Sequence, residues 1–286
     1  MIKSLKHLSY ILKFRENDLD VLTDNISNYY YRKDEQKFKD GKPKIKNGMY
    51  QIRVMYPSTG KLKRIQNQLN RTILNNIKLP NYAHGSIKKR DNITNAKCHV
   101  GKKYMFQTDL KAFFPSINYK LVYEMFISHG FSPDVASRLT KLTTFKDQVP
   151  QGAPTSSIIA NLVFVKTGDK IAEFAKKHGL TFTTYVDDIT LSSAKCFHHL
   201  TNEILQIMTN DGYFISHDKT NYKAGNKNVT GVAVGQNGIS ITDSFKIKIK
   251  AETDITTPRY AGLVNYKKRV FSFNSSRLAL QVSSPS

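Results

Sequence analysis

The sequence predicts an α+β protein built around a mostly antiparallel sheet. Three observations carry this expectation. Apolar residues recur at helical spacing near the N-terminus. Short β-type runs alternate with helical stretches through the middle. Toward the end, closely spaced short strands meet at Asn237-Gly238, a pair suited to a tight turn. The chain has 286 residues, of which 40% are hydrophobic, enough to bury a core and too apolar for overall disorder. No apolar run approaches the roughly 18 residues of a membrane span. The opening MIKSLKHLSYILKF is interrupted by Lys and His and lacks a cleavage site, so no secretory leader is expected. Cys98 and Cys196 cannot form a disulfide framework or a four-ligand zinc site, and a reduced cytoplasm is the expected setting.

Charge gives the first functional indication. With 44 Lys+Arg against 22 Asp+Glu, the formal net charge is +22. Such a chain attracts polyanions: nucleic acid first, an anionic membrane surface second. The basic residues are spread over many segments, which suits an extended groove along a phosphate backbone.

The elements follow in order. Leu5, Leu8 and Leu12, then Leu19, Leu22, Ile26 and Tyr29, mark N-terminal helices. KFKDGKPKIKNG reads as a mobile basic loop between short strands. Residues 58–79 predict one amphipathic helix, capped by Ser58 or Thr59, striped by Leu62, Ile65, Leu69, Ile73 and Ile77, and closed by Pro80. Lys61, Lys63, Arg64 and Arg71 lie mostly off that stripe, as a solvated face or as the lining of a nucleic-acid channel. A strand is expected over 105–110, then a turn at FFPSI and a helix ending at Gly130. Ser132-Pro133-Asp134 opens another helix as N-cap, first-turn Pro and acidic first turn. PQGAP (150–154) breaks the chain before a long helix from Thr155 to about Lys177. TFTTYV and ITLSS (181–186, 189–193) suit a hairpin with Asp187-Asp188 at its tip. A helix through Leu200, Ile204, Ile207 and Met208 stops at Gly212. Three more short strands follow, and the last forty residues, with KIKIK and YKKRV, read as a basic, irregular appended subdomain.

Three pieces carry chemistry. Adjacent carboxylates repel and raise each other's pKa, a cost that a divalent cation removes. If the strand bearing Asp109 lies beside the 181–193 hairpin, Asp109, Asp187 and Asp188 converge. Three carboxylates can hold two Mg²⁺ ions about 3.5–4 Å apart for in-line phosphoryl transfer. Gln151-Gly152-Ala153-Pro154-Thr155-Ser156-Ser157 allows close backbone approach to a ligand and then starts a helix whose N-terminus favours phosphate.

Taken together, D-x4-F, then QG-x-P-T-S, then Y-x-D-D resembles a right-hand palm polymerase and, within that class, a reverse transcriptase. Asn95-Ala96-x-x-His99 and Val229-Thr230-Gly231 resemble marks of the bacterial retron reverse transcriptases. The resemblance runs from about Tyr29 to Gly231. It implies N-terminal helices and fingers over 1–104, an antiparallel palm over 105–240 with a helical fingers insertion at about 119–147, and a small thumb over 241–286. It implies RNA-directed DNA synthesis with two Mg²⁺ ions held by Asp109, Asp187, Asp188 and the Leu110 carbonyl. Phe114 would lie under the incoming sugar and exclude a 2′-hydroxyl; simple core packing is the competing reading, since Phe113 is equally apolar. Gln151 and Gly152 would border nucleotide and template, and Arg53 would clamp the triphosphate. Lys219 would face the triphosphate as a general acid, or is one more surface Lys. Val229, Thr230 and Gly231 would recognise a structured noncoding RNA, or form an ordinary strand with a Gly bulge. Asn95 and His99 would support RNA contacts, or His99 is a satisfied structural histidine. That RNA would serve as template and as primer through a guanosine 2′-hydroxyl, giving branched msDNA from dNTPs. The resemblance further implies bacterial cytoplasm, no membrane, an effector protein partner and antiphage defence. Two departures stand out: Val in the YVDD tip where many relatives carry Ala, and Ser-Ser after PT where Ser-Pro is common. The rivals are a group II intron or diversity-generating-element reverse transcriptase and, from a different class, an inactive palm-fold RNA-binding protein.

Overall fold

A computed structural model describes residues 2–39, 42–225 and 227–282; the last four residues of the expected thumb therefore lie outside the described residues. The chain forms two compact units. One comprises Met1–Pro80, Ala112–Gly168 and Gly212–Phe214, the other Asn81–Lys111, Asp169–Asp211 and Ile215–Ser286.

In the first unit, α1 (Leu5–Leu12) starts where the Ser4 hydroxyl accepts the His7 N–H at 3.2 Å, and it buries Leu8 and Leu12. Lys13, at φ 59°, closes it in the left-handed region. Helix α2 (Glu16–Asp24) buries Leu19 and Leu22. Strands β1 (Lys33–Gln36) and β6 (Ile52–Met55) pair antiparallel, with Lys33 opposite Met55. Between them, where the sequence reads a mobile loop, the described chain is paired. Strands β2 (Phe38–Lys39) and β3 (Lys42–Pro43) pair antiparallel, and β4 (Ile45–Lys46) and β5 (Met49–Tyr50) form a small hairpin. Residues 40 and 41 of that basic segment lie outside the described residues.

Helix α3 (Gly60–Thr72) buries Leu62, Ile65 and Leu69 as its spacing predicts, but it ends well before residue 79. At its end, side chains bond to backbone carbonyls, one of them the Thr72 carbonyl that a further turn would use. Thr72 Oγ1 donates to Gln68 O at 2.8 Å, and Asn76 Nδ2 donates to Thr72 O at 2.9 Å. Ile73 leaves helical geometry, and only a short 3₁₀ turn, Leu74–Asn76, follows. Thr59 is the N-cap by position without a side-chain cap bond.

Helix α4 (Asn92–Lys97) and strand β7 (Tyr104–Lys111) belong to the second unit. The chain then returns to the first through α5 (Phe113–Ser116), α6 (Tyr119–Ser128) and α7 (Pro133–Thr143). Asn118 caps α6 by accepting Leu121 N–H at 3.0 Å. Ser132 holds the N-cap position of α7, but its hydroxyl makes no cap bond. The long α8 (Ser156–Lys177) leads into the hairpin β8 (Thr181–Tyr185) and β9 (Asp188–Ser193), then α9 (Thr201–Asn210). Short β10 (Phe214–Ile215) and β11 (Asn221–Ala224) follow.

The second unit holds two sheets. Its central strand β7 pairs antiparallel with β9 on one edge and β11 on the other, and β8 lies outside β9. The smaller sheet is β12 (Lys227–Val229), β13 (Val232–Val234) and β14 (Ile239–Ile241), also antiparallel. The final segment corrects the expectation of irregular chain: it forms α10 (Asp243–Lys250) and α11 (Pro258–Val282). The Thr242 hydroxyl caps α10, with Asp243 in its first turn and Lys248 and Lys250 in its last. Phe245, Ile249 and Tyr266 pack on a core of Ile93, Met105, Val232, Ile241 and Val270. KIKIK therefore alternates in sequence but packs with helical spacing, because residues 245 and 249 find an apolar sheet to cover. Asn274 of α11 clasps the edge of β14, donating to Ile239 O at 2.8 Å and accepting from Ile239 N at 3.2 Å. A Cβ on Gly238 would overlap that amide, so a side chain there would oblige the Asn274 clasp to shift.

Candidate active site

The β7–β9 register sets Asp109 directly opposite Asp188. Beyond that pair the chains stay joined, Leu110 N donating to Asp187 O at 3.1 Å. Two strands distant in sequence thus deliver three aspartates to one end of one sheet, as the sequence predicts. The tip is a two-residue turn in which Val186 adopts φ 59°. A β-branched residue there is strained, and such strain persists only where the surroundings impose it. One such support comes from the chain before α4. Residues 82–85 run beside β8, with His84 N donating to Thr184 O and Thr184 N to Tyr82 O, both at 2.8 Å. Gly85 then abuts the turn itself: a Cβ there would lie 2.6 Å from Val186 Cγ2 and 2.8 Å from Val186 N. Nothing in the local pattern of PNYAHG announces this contact, because it depends on a partner a hundred residues away.

The electrostatics are in conflict. Asp109 is only 7% exposed and holds the Lys219 ammonium at 2.6 Å. Asp188 keeps solvent access at the tip, yet the protein around its carboxyl, then the charges of Asp187 and Asp109, push its pKa up to about 6 against the pull of Lys219. Burial lowers the Lys219 pKa, but the hydrogen bond and charge of Asp109, with Asp187 and Asp188 behind it, outweigh that and leave it raised. Lys219 is therefore more than a surface Lys. Among the described residues no three carboxylate, His or Cys side chains form a ready metal cluster. The aspartates meet through the backbone, and a cation supplied by the chain itself lies on one of them. A hard divalent ion fits this donor set: oxygen ligands, excess negative charge and a carboxyl held part-way to protonation. Beside it lies a polar cavity of about 220 Å³ reaching from Asp109 and Asp188 past Lys219 and Asn221 to Thr230.

The two short motifs prove to be one structural unit. Asn95 Nδ2 donates to Thr230 Oγ1 at 3.3 Å, and Asn92 Nδ2 to Thr230 O at 3.1 Å. Asn95 is 1% exposed and Val229 fully buried, so neither offers its side chain to RNA. His99 is likewise fully buried, its Nδ1 2.7 Å from Ser192 Oγ and its Nε2 2.8 Å from Thr183 Oγ1. It bridges the two strands of the aspartate-bearing hairpin, the arrangement of a satisfied structural histidine. Burial first, then the charges of His84, Lys227 and Lys102, lower its pKa to about 3. Thr230 at φ 46° and Gly231 at φ 84° make the turn between β12 and β13, with Gly231 at the surface.

The remaining residues lie in the first unit. Phe113 is 2% exposed, ringed by Phe164 and Tyr213, whereas Phe114 is half-buried beside it. Core packing therefore claims Phe113 and leaves Phe114 available. Gln151 O accepts Tyr56 N–H at 2.8 Å, fixing the QG turn against the end of β6. Gly152 adopts φ 101°, and a Cβ would meet Met55 and Pro57 only at ordinary contact distance, so conformation rather than space demands glycine. Arg53 is exposed on β6, opposite Glu35.

An antiparallel sheet that carries paired carboxylates at a strand end and on the adjoining hairpin turn is the layout of the right-hand polymerases. A telomerase from Candida albicans, in complex with a fragment of telomeric RNA, shares the fold at TM-score 0.51 and 10% identity, over 81% of this chain and 53% of that one. The profile of the family described as reverse transcriptase (RNA-dependent DNA polymerase) matches residues 42–236, more than half of the sequence, and the chain belongs to that family. It is similar to the retron Se72 reverse transcriptase of Salmonella heidelberg, 36% identical over 195 residues, and to the retron Ec86 reverse transcriptase of Escherichia coli, 32% identical over 205. Those matches take in 68% and 70% of this chain, but only 49% and 64% of the respective relatives. Among the described residues no helix is long and apolar enough to cross a membrane.

Proposed function

We propose that the chain is an RNA-directed DNA polymerase of retron type. The observation that carries this reading is the register of Asp109 against Asp188, with Asp187 tied to Leu110. Asp109, Asp187, Asp188 and the Leu110 carbonyl would hold two Mg²⁺ ions. When bound, those ions would polarise the attacking hydroxyl and neutralise the leaving pyrophosphate.

The chain's own residues do the rest. Lys219, which lies 2.6 Å from Asp109, would donate a proton to the departing pyrophosphate. Phe114 would bar a 2′-hydroxyl, giving selection for dNTPs. Gln151 and Gly152 would border the nucleotide and template, and Arg53 would grip the triphosphate bidentately. Thr230 and Gly231 would touch the RNA, while Asn95, His99 and Val229 hold their turn and the hairpin in place. The division into fingers, palm and small thumb belongs to this reading. So do a structured RNA as template and 2′-hydroxyl primer, a branched msDNA product, an effector partner and antiphage defence in the bacterial cytoplasm.

The test is incorporation of labelled dNTPs on a primed RNA template with Mg²⁺. Template-dependent product that vanishes in Asp109→Asn is expected. Folded protein that extends no primed RNA would leave the non-enzymatic RNA-binding reading.

A further inference from the structure

Two open cavities of about 960 and 720 Å³ adjoin between the end of α1 and the exposed face of α3, sharing Lys13, Phe14 and Gln68. The left-handed Lys13 turns the chain there, with Phe14 N donating to Ser9 O at 3.1 Å. Gln68 Nε2 donates to Ile11 O at 3.2 Å and ties α3 to the end of α1. Lys13 and Arg15 line one side, Arg64 and Arg71 the other, and no Asp or Glu appears among the described residues of the lining. Two aromatic rings accompany them. Tyr10 is 83% exposed, and Phe14 is half-buried. Ser9, 8% exposed on the cavity wall, buries a hydroxyl that has no hydrogen-bond partner among the described residues.

Four cations with no acid among them suit a string of phosphates, and aromatic faces interleaved with cations suit unpaired bases. An acidic polypeptide would satisfy the charges but leave the rings unused; a duplex would satisfy the charges but keep its bases stacked inside. The N-terminal wall, Tyr10 to Arg15, precedes the segment matched by the family profile, which begins at residue 42. We propose that this groove binds an unpaired stretch of RNA, with phosphates on Lys13, Arg15, Arg64 and Arg71 and bases stacked on Tyr10 and Phe14. The inference rests on the polymerase reading only in taking RNA as the partner.

The test uses the full chain and a 12-nucleotide single-stranded RNA carrying 4-thiouridine. Irradiation is expected to give adducts on peptides containing Tyr10 or Phe14. Joint replacement Lys13→Gln, Arg15→Gln, Arg64→Gln and Arg71→Gln is expected to weaken binding at least tenfold. It should also flatten the salt dependence by about 3, at roughly 0.7 per phosphate on a single strand. Tyr10→Ala with Phe14→Ala should weaken binding several-fold and leave the salt slope unchanged. Adducts confined to other peptides, with affinity and slope unaltered in the quadruple variant, would overturn the groove. So would a glutamate 12-mer that displaces the RNA from it at lower concentration than RNA itself. Extension of a short primed template by the same variants separates the two ideas: it should persist in the quadruple variant, whereas its absence in the unaltered chain sinks the polymerase reading and leaves the adducts to decide the groove.

Discussion

The aspartate-bearing turn and the layer behind it, α4 with the β12–β13 turn, are both rich in polar groups, yet they treat them in opposite ways. At the turn, Asp109, Asp187 and Asp188 crowd together and Asp188 is pushed toward neutrality. In the layer behind, His99 satisfies both ring nitrogens and Asn95 Nδ2 reaches Thr230, although the buried Asn95 Oδ1 finds no partner among the described residues. Unresolved charge is what a ligand can exploit; resolved hydrogen bonding is what holds a frame. Motifs that occur together in one sequence therefore do different work.

The largest effect should come from Asp188→Asn. Primer extension is expected to fall about 10³-fold or more, since groups acting as a unit fail together. Thermal stability should hold or rise, because the carboxylate removed is one its neighbours disfavour. A melting temperature that drops sharply would erase the contrast between turn and frame.

His99→Ala should do the reverse. Losing two buried hydrogen bonds and leaving a cavity costs about 3 kcal/mol, readable by urea unfolding. Extension per folded molecule should stay within a few-fold. The pH dependence has a definite sign. With its folded pKa lowered to about 3, His99 stays neutral in the fold while the unfolded chain takes up a proton below the ordinary 6.5. Its contribution is complete above that value and is lost as pH falls from 6.5 toward 3. His84, lowered to about 4 by burial and then by Arg90, adds in the same direction. Unfolding curves that superimpose at pH 7 and 5 would contradict this.

Gly85→Ala lies between the two regions. Its Cβ would overlap backbone of the turn, which cannot yield as a flexible side chain would. Extension is expected to fall ten- to a hundredfold through a displaced Asp187-Asp188, at a stability cost of about 1–2 kcal/mol. Unchanged extension would mean the turn tolerates displacement.

Legibility in the sequence followed the range of the interactions. The hairpin, its acidic tip and the strand bearing Asp109 were readable because alternation and turn residues are local signals. No local signal marks the pairing of β7 with β9; the sequence poses it only as a condition, supported by the resemblance of its motifs to a right-hand polymerase. Local patterns misled where side chains or distant partners decide. Asn76 takes the Thr72 carbonyl just past the end of α3, and KIKIK turns helical because an apolar sheet awaits Phe245 and Ile249. Burial of His99 and the role of Gly85 were invisible for the same reason: each is defined by residues about a hundred positions away.

Thr230 is where turn and frame meet, and it gives the smallest and sharpest test. Its backbone, at φ 46°, is a conformation that costs a β-branched residue about 1 kcal/mol. Its hydroxyl accepts from Asn95 and its carbonyl from Asn92, while its side chain also lines the cavity beside Asp109. Thr230→Gly removes the hydroxyl contact but relieves the strain and keeps the carbonyl bond. Those terms offset, so stability should stay within about 1 kcal/mol of the parent chain. If the hydroxyl faces RNA as proposed, affinity for a structured RNA should weaken several-fold at constant salt, with primer extension on a short template unaffected. A stability loss beyond about 2 kcal/mol with unaltered affinity would instead assign Thr230 to the frame, and the RNA would have to be read elsewhere on the β12–β13 turn.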